Sequence, residues 1–327
     1  AQAVLDRYLT AHPTAPSEYG FRWVRRVVSG EDYHTQETGG ATYALAASHD
    51  GRMFATGGED GTVRLWRASD GVRLHEFEFP HTLSIYSLAF SPHDDLILSA
   101  GGDLKRSEVI LWDVPAKIRR MDFAGPSVTA NAVAFSPDGK LMAVAGSGRA
   151  GDSGNPVAEI RVWEIDLAQR SAPAASVKQW FSPPRVWQSA TWNSANSLAF
   201  TADSQTLVVG YGFERKGAVG FWEVKSGKED VVLPAAAPVW TVAFADQERR
   251  LVAGDLLGGV AAWSYPERKE LGRVVMREDS KVMALTAAGE GTHVFAATTY
   301  SHEEKPRFDV TQWDVTSGPE LVAALAN

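Results

Sequence analysis

The sequence predicts an all-β fold in which one four-stranded antiparallel unit recurs six times, and three observations predict it. A short apolar strand recurs as "YALAASHDG" (43–51), "YSLAFSPHD" (86–94), "NAVAFSPDG" (131–139), "NSLAFTADS" (196–204), "WTVAFADQE" (240–248) and "MALTAAGEG" (283–291). Its last apolar residues, Ala47, Phe90, Phe135, Phe200, Phe244 and Ala287, stand 43, 45, 65, 44 and 43 residues apart. A tryptophan follows each of them: Trp66, Trp112, Trp163, Trp222, Trp263 and Trp313. Four of the five steps match the roughly 40–45 residues of a propeller blade. Leucine-rich, ankyrin and helical repeats have shorter periods or helical patterning. The expectation is therefore a β-propeller of six blades over 32–327, seven being possible if a repeat is hidden within 164–195.

Each element has a local reason. In "FATGGEDGTVRLW" (54–66) two short alternating runs flank Asp60-Gly61, a tight-turn signal that makes a hairpin. Asp60 is read as the turn residue of that hairpin, not as a catalytic group, because no base, nucleophile or metal partner stands near it. The turns "SPDG" and "WRASDG", "WEVKSG", "WDVTSG" close the other strand pairs and hardly vary in length. For the fourth strand of the last blade, "ELVAALAN" (320–327) and "DYHTQE" (32–37) compete.

The runs "VRLW", "VILWD", "IRVWE", "VGFWE" and "VTQWD", with "AFSPDG" upstream, resemble WD-repeat (WD40) β-propeller sequences. Blade five, "GGVAAWSY" (258–265), departs from that pattern, and several repeats lack its Gly-His. The resemblance implies a polar tetrad in blade two, His81, Ser99, Asp103 and Trp112, with Thr56, Asp60 and Trp66 at matching slots in blade one. Such a set closes a hydrogen-bond network around an indole N–H inside the blade.

Composition bounds the function. The 327 residues carry a net charge of -8, which excludes a general attraction for nucleic acid. There is no cysteine, so thiolate chemistry and disulfides are excluded. No apolar run reaches the roughly 18 residues of a membrane helix. The chain begins at Ala1 without a secretory apolar core, which reads as a processed chain or a piece of something longer. "GDSGNP" (151–156) resembles a trypsin-like nucleophile segment, but no matching histidine segment accompanies it. No zinc, nucleotide or D-x-D calcium spacing appears, so no enzyme activity, cofactor or metal is expected.

The extra residues are informative. Loops 101–108, 146–159, 211–217 and 299–308 and the connection "VKQWFSPPRVWQSATWN" (177–193) exceed their counterparts in other repeats. If each excess falls between strands two and three or between blades, all lie on one face, where loops carry function. The expected binding residues are Arg149, Trp180, Arg185, Trp187, Trp192, Tyr211, Phe213 and Arg215, with Arg185 and Trp187 as anchors for an acidic or aromatic-bearing peptide. The expected partner is a protein or peptide, bound by a monomer.

Residues 1–31 form a separate arm in which "AQAVLDRYL" reads helical and Pro13 and Pro16 break it. Its "EYGFRW" (18–23) resembles the segment before the WD repeats of planctomycete-type bacterial serine/threonine kinase receptors, with Tyr19 and Arg22 departing from that pattern. That resemblance implies an upstream kinase and membrane helix and an extracytoplasmic propeller in a bacterial signalling protein. Without it, a cytoplasmic chain is expected.

Overall fold

The computed structural model describes residues 41–103, 105–151, 153–166, 180–189, 191–276, 279–288, 293–302, 305–314 and 320–325. These residues form six four-stranded antiparallel sheets, each with its strands in chain order. The first holds β1 (Thr42–Ala47), β2 (Met53–Gly58), β3 (Arg64–Arg67) and β4 (Arg73–Glu76). The second holds β5 (Ile85–Phe90), β6 (Leu96–Gly102), β7 (Ser107–Asp113) and β8 (Ile118–Phe123). The third holds β9 (Thr129–Phe135), β10 (Leu141–Arg149), β11 (Pro156–Glu164) and β12 (Arg185–Ser189). The fourth holds β13 (Ala195–Phe200), β14 (Thr206–Phe213), β15 (Lys216–Glu223) and β16 (Lys228–Ala235). The fifth holds β17 (Val239–Ala245), β18 (Arg250–Asp255), β19 (Gly259–Ser264) and β20 (Glu270–Val275). The sixth holds β21 (Lys281–Ala288), β22 (His293–His302), β23 (Lys305–Asp314) and β24 (Glu320–Leu325).

All six expected repeats are present, including the irregular fifth. The last fourth strand comes from 320–325. The rival segment 32–37 and the expected helical arm at 1–31 lie outside the described residues.

The chain divides into two compact units, one of Gln36–Phe213 with Val219–Val232 and one that includes Glu214–Ala218 and Leu233–Asn327. In the first unit the opening strands β1, β5, β9 and β13 neighbour one another in that order, and in the second β17 neighbours β21. Cores lie between sheets, not inside one. Ala55, Leu65 and Phe77 of the first sheet pack with Ile85, Ile97 and Trp112 of the second. Leu98 and Leu111 of the second pack with Val144 and Trp163 of the third. The strand patterns follow. Leu96–Gly102 is buried throughout because both faces of β6 are covered, whereas β16 alternates exposed and half-buried residues along its whole length.

Two local devices position the sheet edges. In the turn after the first strand, Ser136 Oγ donates to Asp138 at 2.6 Å and accepts the Leu141 N–H at 2.9 Å, while Gly139 takes φ +70°. At the opposite edge each opening strand carries a β-bulge, as between Ile85 and Ser87. The bulge carries the carbonyl of the residue before it onto the second strand: a Cβ on Gly101 would overlap Ser84 O, and one on Gly146 would overlap Thr129 O. That is why Gly101 and Gly146 stand opposite the bulges of the second and third sheets.

The insertion is placed differently from its expected position. Residues 185–189 are the outer strand β12, paired from Ala158↔Ser189 to Val162↔Arg185. The excess therefore lies between Glu164 and Arg185, in the connection of strands three and four, and only 190–194 link the third sheet to the fourth. Strand alternation puts that connection at the edge opposite the long hairpins. The expectation of five long loops on one face is corrected to four hairpins on one edge of their sheets and one insertion on the other. The hairpin excess is itself mostly paired strand, since β10 and β11 pair from Leu141↔Glu164 to Arg149↔Pro156.

Candidate interaction surface

The tryptophans of the third strands are structural. Trp66, Trp112, Trp163 and Trp222 are all buried. Three of them meet an aromatic ring from the end of the preceding sheet. Phe77 lies 5.1 Å from Trp112, Phe123 lies 5.4 Å from Trp163, and Trp187 stacks on Trp222 at 5.5 Å and 7°.

The expected tetrad of the second sheet closes with one substitution. Trp112 Nε1 donates to Ser99 Oγ at 2.7 Å, and His81 Nε2 lies 2.6 Å from the same oxygen. The acid facing His81 Nδ1 is Glu108, at 3.4 Å, not Asp103. Asp103 accepts the N–H groups of Lys105 and Arg106 at 2.7 and 2.9 Å, which hold its carboxyl below the ordinary value. The resemblance assigned Asp103 by spacing, but β7 brings Glu108 beside the imidazole. Burial drives His81 down to about 4, with Arg119 acting the same way and Glu108 opposing it. Burial raises Glu108, but hydrogen bonds from Thr82 and the charges of His81 and Arg106 more than offset this, leaving it below its ordinary value.

The first sheet repeats part of the set. Trp66 Nε1 donates to Thr56 Oγ1 at 2.8 Å, while Asp60 pairs with Arg64 at 2.7 Å and accepts the Thr62 N–H at 3.0 Å. Asp60 thus turns a corner and anchors an arginine, and its contacts are structural.

The aromatic segment 180–192 requires correction. Trp180 and Trp187 are buried, and so is Tyr211, so none is an exposed anchor. Trp180 lies under the Arg120 guanidinium at 5.8 Å, and Phe181 meets Phe123 at 4.9 Å. Tyr211 links two indoles: its hydroxyl accepts Trp222 Nε1 at 2.5 Å and donates to Glu229 at 2.8 Å, and its ring stacks on Trp192 at 5.8 Å. Burial first, then the Glu229 charge, raises that phenol far above its ordinary value. Arg185 belongs to the opposite edge, where Nη1 donates to Val224 O at 2.7 Å and the guanidinium covers Trp187 at 5.7 Å. A 17-residue stretch of tryptophans reads as a sticky loop only while its strand pairing is unknown.

Other expected residues stay at the hairpin edge. Arg149 is exposed at the end of β10, and Arg215 is exposed in the β14–β15 turn. Trp192 is half-buried in the link to β13. The Phe213 side chain lies outside the described residues. Ser153, in the protease-like motif, donates to Ala150 O at 3.1 Å inside the β10–β11 turn. Among the described residues no group of three or more histidines and carboxylates is placed to hold a metal ion.

Residues that the sequence reading missed are the bulge side chains. Tyr43 and Tyr86 are 52% and 39% exposed, and their rings lie 6.0 Å apart. Their signal was present: both stand four residues before the anchors Ala47 and Phe90.

Comparison with known proteins agrees with this geometry. Residues 30–67 and 71–113 match the family model "WD domain, G-beta repeat". The second match runs from the start of β4 to the end of β7, so the sequence repeat is one strand out of phase with the sheet. A "Protein LST8 homolog" of Drosophila melanogaster is 23% identical over 73% of this chain and 74% of its own length. "Small ribosomal subunit protein RACK1y" of Oryza sativa subsp. japonica is 28% identical over 47% of this chain and 45% of its own length. "Eukaryotic translation initiation factor 3 subunit I" of Candida albicans is 26% identical over 55% and 47%. These relatives are eukaryotic; none is a bacterial receptor kinase, and the arm that carried that resemblance lies outside the described residues. Six four-stranded antiparallel sheets give this chain the all-β, six-bladed propeller fold class, and the indole-centred network of the second sheet and the two matched segments make it similar to WD40-repeat proteins.

Proposed function

We propose that the chain is a non-enzymatic scaffold that binds a protein or peptide through the edge carrying the hairpins between second and third strands. The observation that supports this most is the unequal reach of those hairpins. The pairing of β2 with β3 stops at Thr56↔Arg64, whereas that of β10 with β11 runs to Arg149↔Pro156. The turns of the other edge stay short outside the third sheet. A rigid sheet that varies only at one edge is suited to recognition by that edge. Two of the relatives carry names of assembly components, a ribosomal subunit protein and an initiation-factor subunit, which fits a scaffold.

A photo-crosslinking residue at position 149 tests the reading against the same residue at position 140, in the β9–β10 turn of the opposite edge. The expected outcome is a discrete protein adduct in an extract of the source cell from position 149 and none from 140. Equal labelling from both, or none from 149, overturns the reading. The finer placement in a bacterial receptor rests on residues 18–23 alone, and an upstream kinase domain in the same reading frame is its test.

A further inference from the structure

One structural position recurs on the hairpin edge with an unusual composition. In every sheet the residue four before the anchor sits in the β-bulge of the opening strand, between Thr42 and Ala44, Ile85 and Ser87, Ala195 and Ser197, Val239 and Thr241, and Val282 and Ala284, and opposite Ala145 and Gly146 in the third. A bulge leaves its extra residue out of the ladder and re-aims its side chain. In the third and fourth sheets the position holds Asn131 and Asn196, whose amides donate to Ser194 Oγ and Gly212 O. In the first and second it holds Tyr43 and Tyr86, which bury neither ring and meet each other at 6.0 Å. Leu45, two residues along β1, is 68% exposed. Single exposed apolar residues are ordinary; adjacent ones at equivalent bulges of neighbouring strands form a contiguous ledge.

The charges beside the ledge are sorted. Lys105, Arg106 and Arg149 are exposed at the tips of the second and third hairpins. Among the described residues the acids there are occupied: Asp103 by two backbone N–H groups, Glu108 by the Thr82 N–H and hydroxyl and by Arg106 at 3.8 Å, and Asp60 by Arg64. Glu59 accepts the Ala41 N–H at 3.3 Å. Arg106 Nη2 donates to Thr82 Oγ1 at 2.8 Å, and Thr82 stands four residues, at most about 13 Å of extended backbone, before Tyr86.

We propose that Tyr43 and Tyr86 seat one aromatic or aliphatic side chain of an extended acidic segment of a partner protein, whose flanking carboxylates meet Lys105, Arg106 and Arg149. Proposing this builds on the scaffold reading and names its recognition element. The occupant follows from complementarity: an apolar ledge needs an apolar side chain, and outward cations with internally satisfied acids select anionic flanks.

The test uses fluorescent nonapeptides with a central phenylalanine flanked by glutamates, the same peptide with a central alanine, and a lysine-flanked counterpart. Anisotropy is read on the full chain, on Tyr43→Ser/Tyr86→Ser and on Lys105→Glu/Arg149→Glu. Thermal unfolding confirms that both variants stay folded, as surface positions should. The expected result is saturable binding of the glutamate–phenylalanine peptide alone, weakened about tenfold or more by either variant. It also weakens when salt rises from about 50 to about 500 mM. No binding, equal binding of the lysine peptide, or binding untouched by the tyrosine changes overturns the proposal. If the adduct from position 149 persists in Tyr43→Ser/Tyr86→Ser, the scaffold reading stands and the ledge falls; if it disappears, the ledge is the recognition element.

Discussion

At the scale of single residues, the buried indole of Trp112 shows what the repeated tryptophan is for. Its ring fills the space between the first and second sheets, and its N–H is satisfied by Ser99. Trp112→Ala is expected to cost about 3–5 kcal/mol through the cavity it leaves. Ser99→Ala keeps the packing but removes the oxygen shared by Trp112 and His81, and is expected to cost about 1–3 kcal/mol. Urea unfolding separates the two, and a loss under about 1 kcal/mol for Trp112→Ala would contradict the packing role. Trp187 belongs to the same class. Stacked on Trp222 and covered by Arg185, it should lose about 3–5 kcal/mol as Trp187→Ala. A Trp187→Ala/Arg185→Ala protein is therefore expected to melt well below the parent, not to lose a partner with its fold intact.

At the scale of elements, the turn after each opening strand needs one left-handed residue. The slot four after the anchor holds Gly51, Asp94, Gly139, Ser204 and Glu248, with φ between 59 and 70°. A side chain there is strained unless it does something else. Asp94 accepts the N–H groups of His49 and Asp50 at 2.7 and 2.9 Å, tying the second sheet to the first. Ser204 accepts the Asp138 N–H at 3.3 Å and ties the fourth to the third. Glu248 ends a run of three left-handed residues, Asp246, Gln247 and Glu248. Asp94→Gly is expected to destabilise even though it relieves the left-handed strain, because it removes the tie between the two sheets. Its midpoint in urea should fall, and a rise would refute the tying role of Asp94.

At the scale of the whole molecule, acid should unfold the chain in two stages. His81 is buried as the neutral base and its folded value is depressed, so the unfolded state binds its proton first. Stability is full above the unfolded histidine value of about 6.5 and falls toward pH 4, by about 3 kcal/mol in all. The acids run in the same direction lower down. Asp50, Asp138, Asp203 and Glu108 all lie below their ordinary values in the folded chain, so what they contribute is present above the unfolded carboxylate range and is lost as pH falls through it. In His81→Gln the slope between pH 6.5 and 4 should flatten by one proton, while the steeper loss in stronger acid remains. Stability measured in urea across that range checks both halves.

The repeat was legible because it is written in spacing. Anchors 43–45 residues apart in four of five steps, each followed by a tryptophan, and glycines such as Gly101 and Gly146 where a bulge presses a carbonyl onto the next strand, are demands made within single sheets. The sequence by itself determined the four-stranded repeat, its order of strands and the burial of Trp66, Trp112, Trp163 and Trp222, while six or seven sheets both fitted its spacing. Counting residues between landmarks does not tell on which side of a strand an insertion falls. Only the pairing of β11 with β12 decided that Trp187 is core and that Arg185 serves the opposite edge. The family resemblance also placed Asp103 in the tetrad, whereas the fold brought Glu108 to His81. Tyr43 and Tyr86 have the composition of core residues, and a bulge turned them outward. Composition and period are properties of one chain segment; which face a side chain presents depends on the neighbouring strand, and that is settled only when distant segments pair.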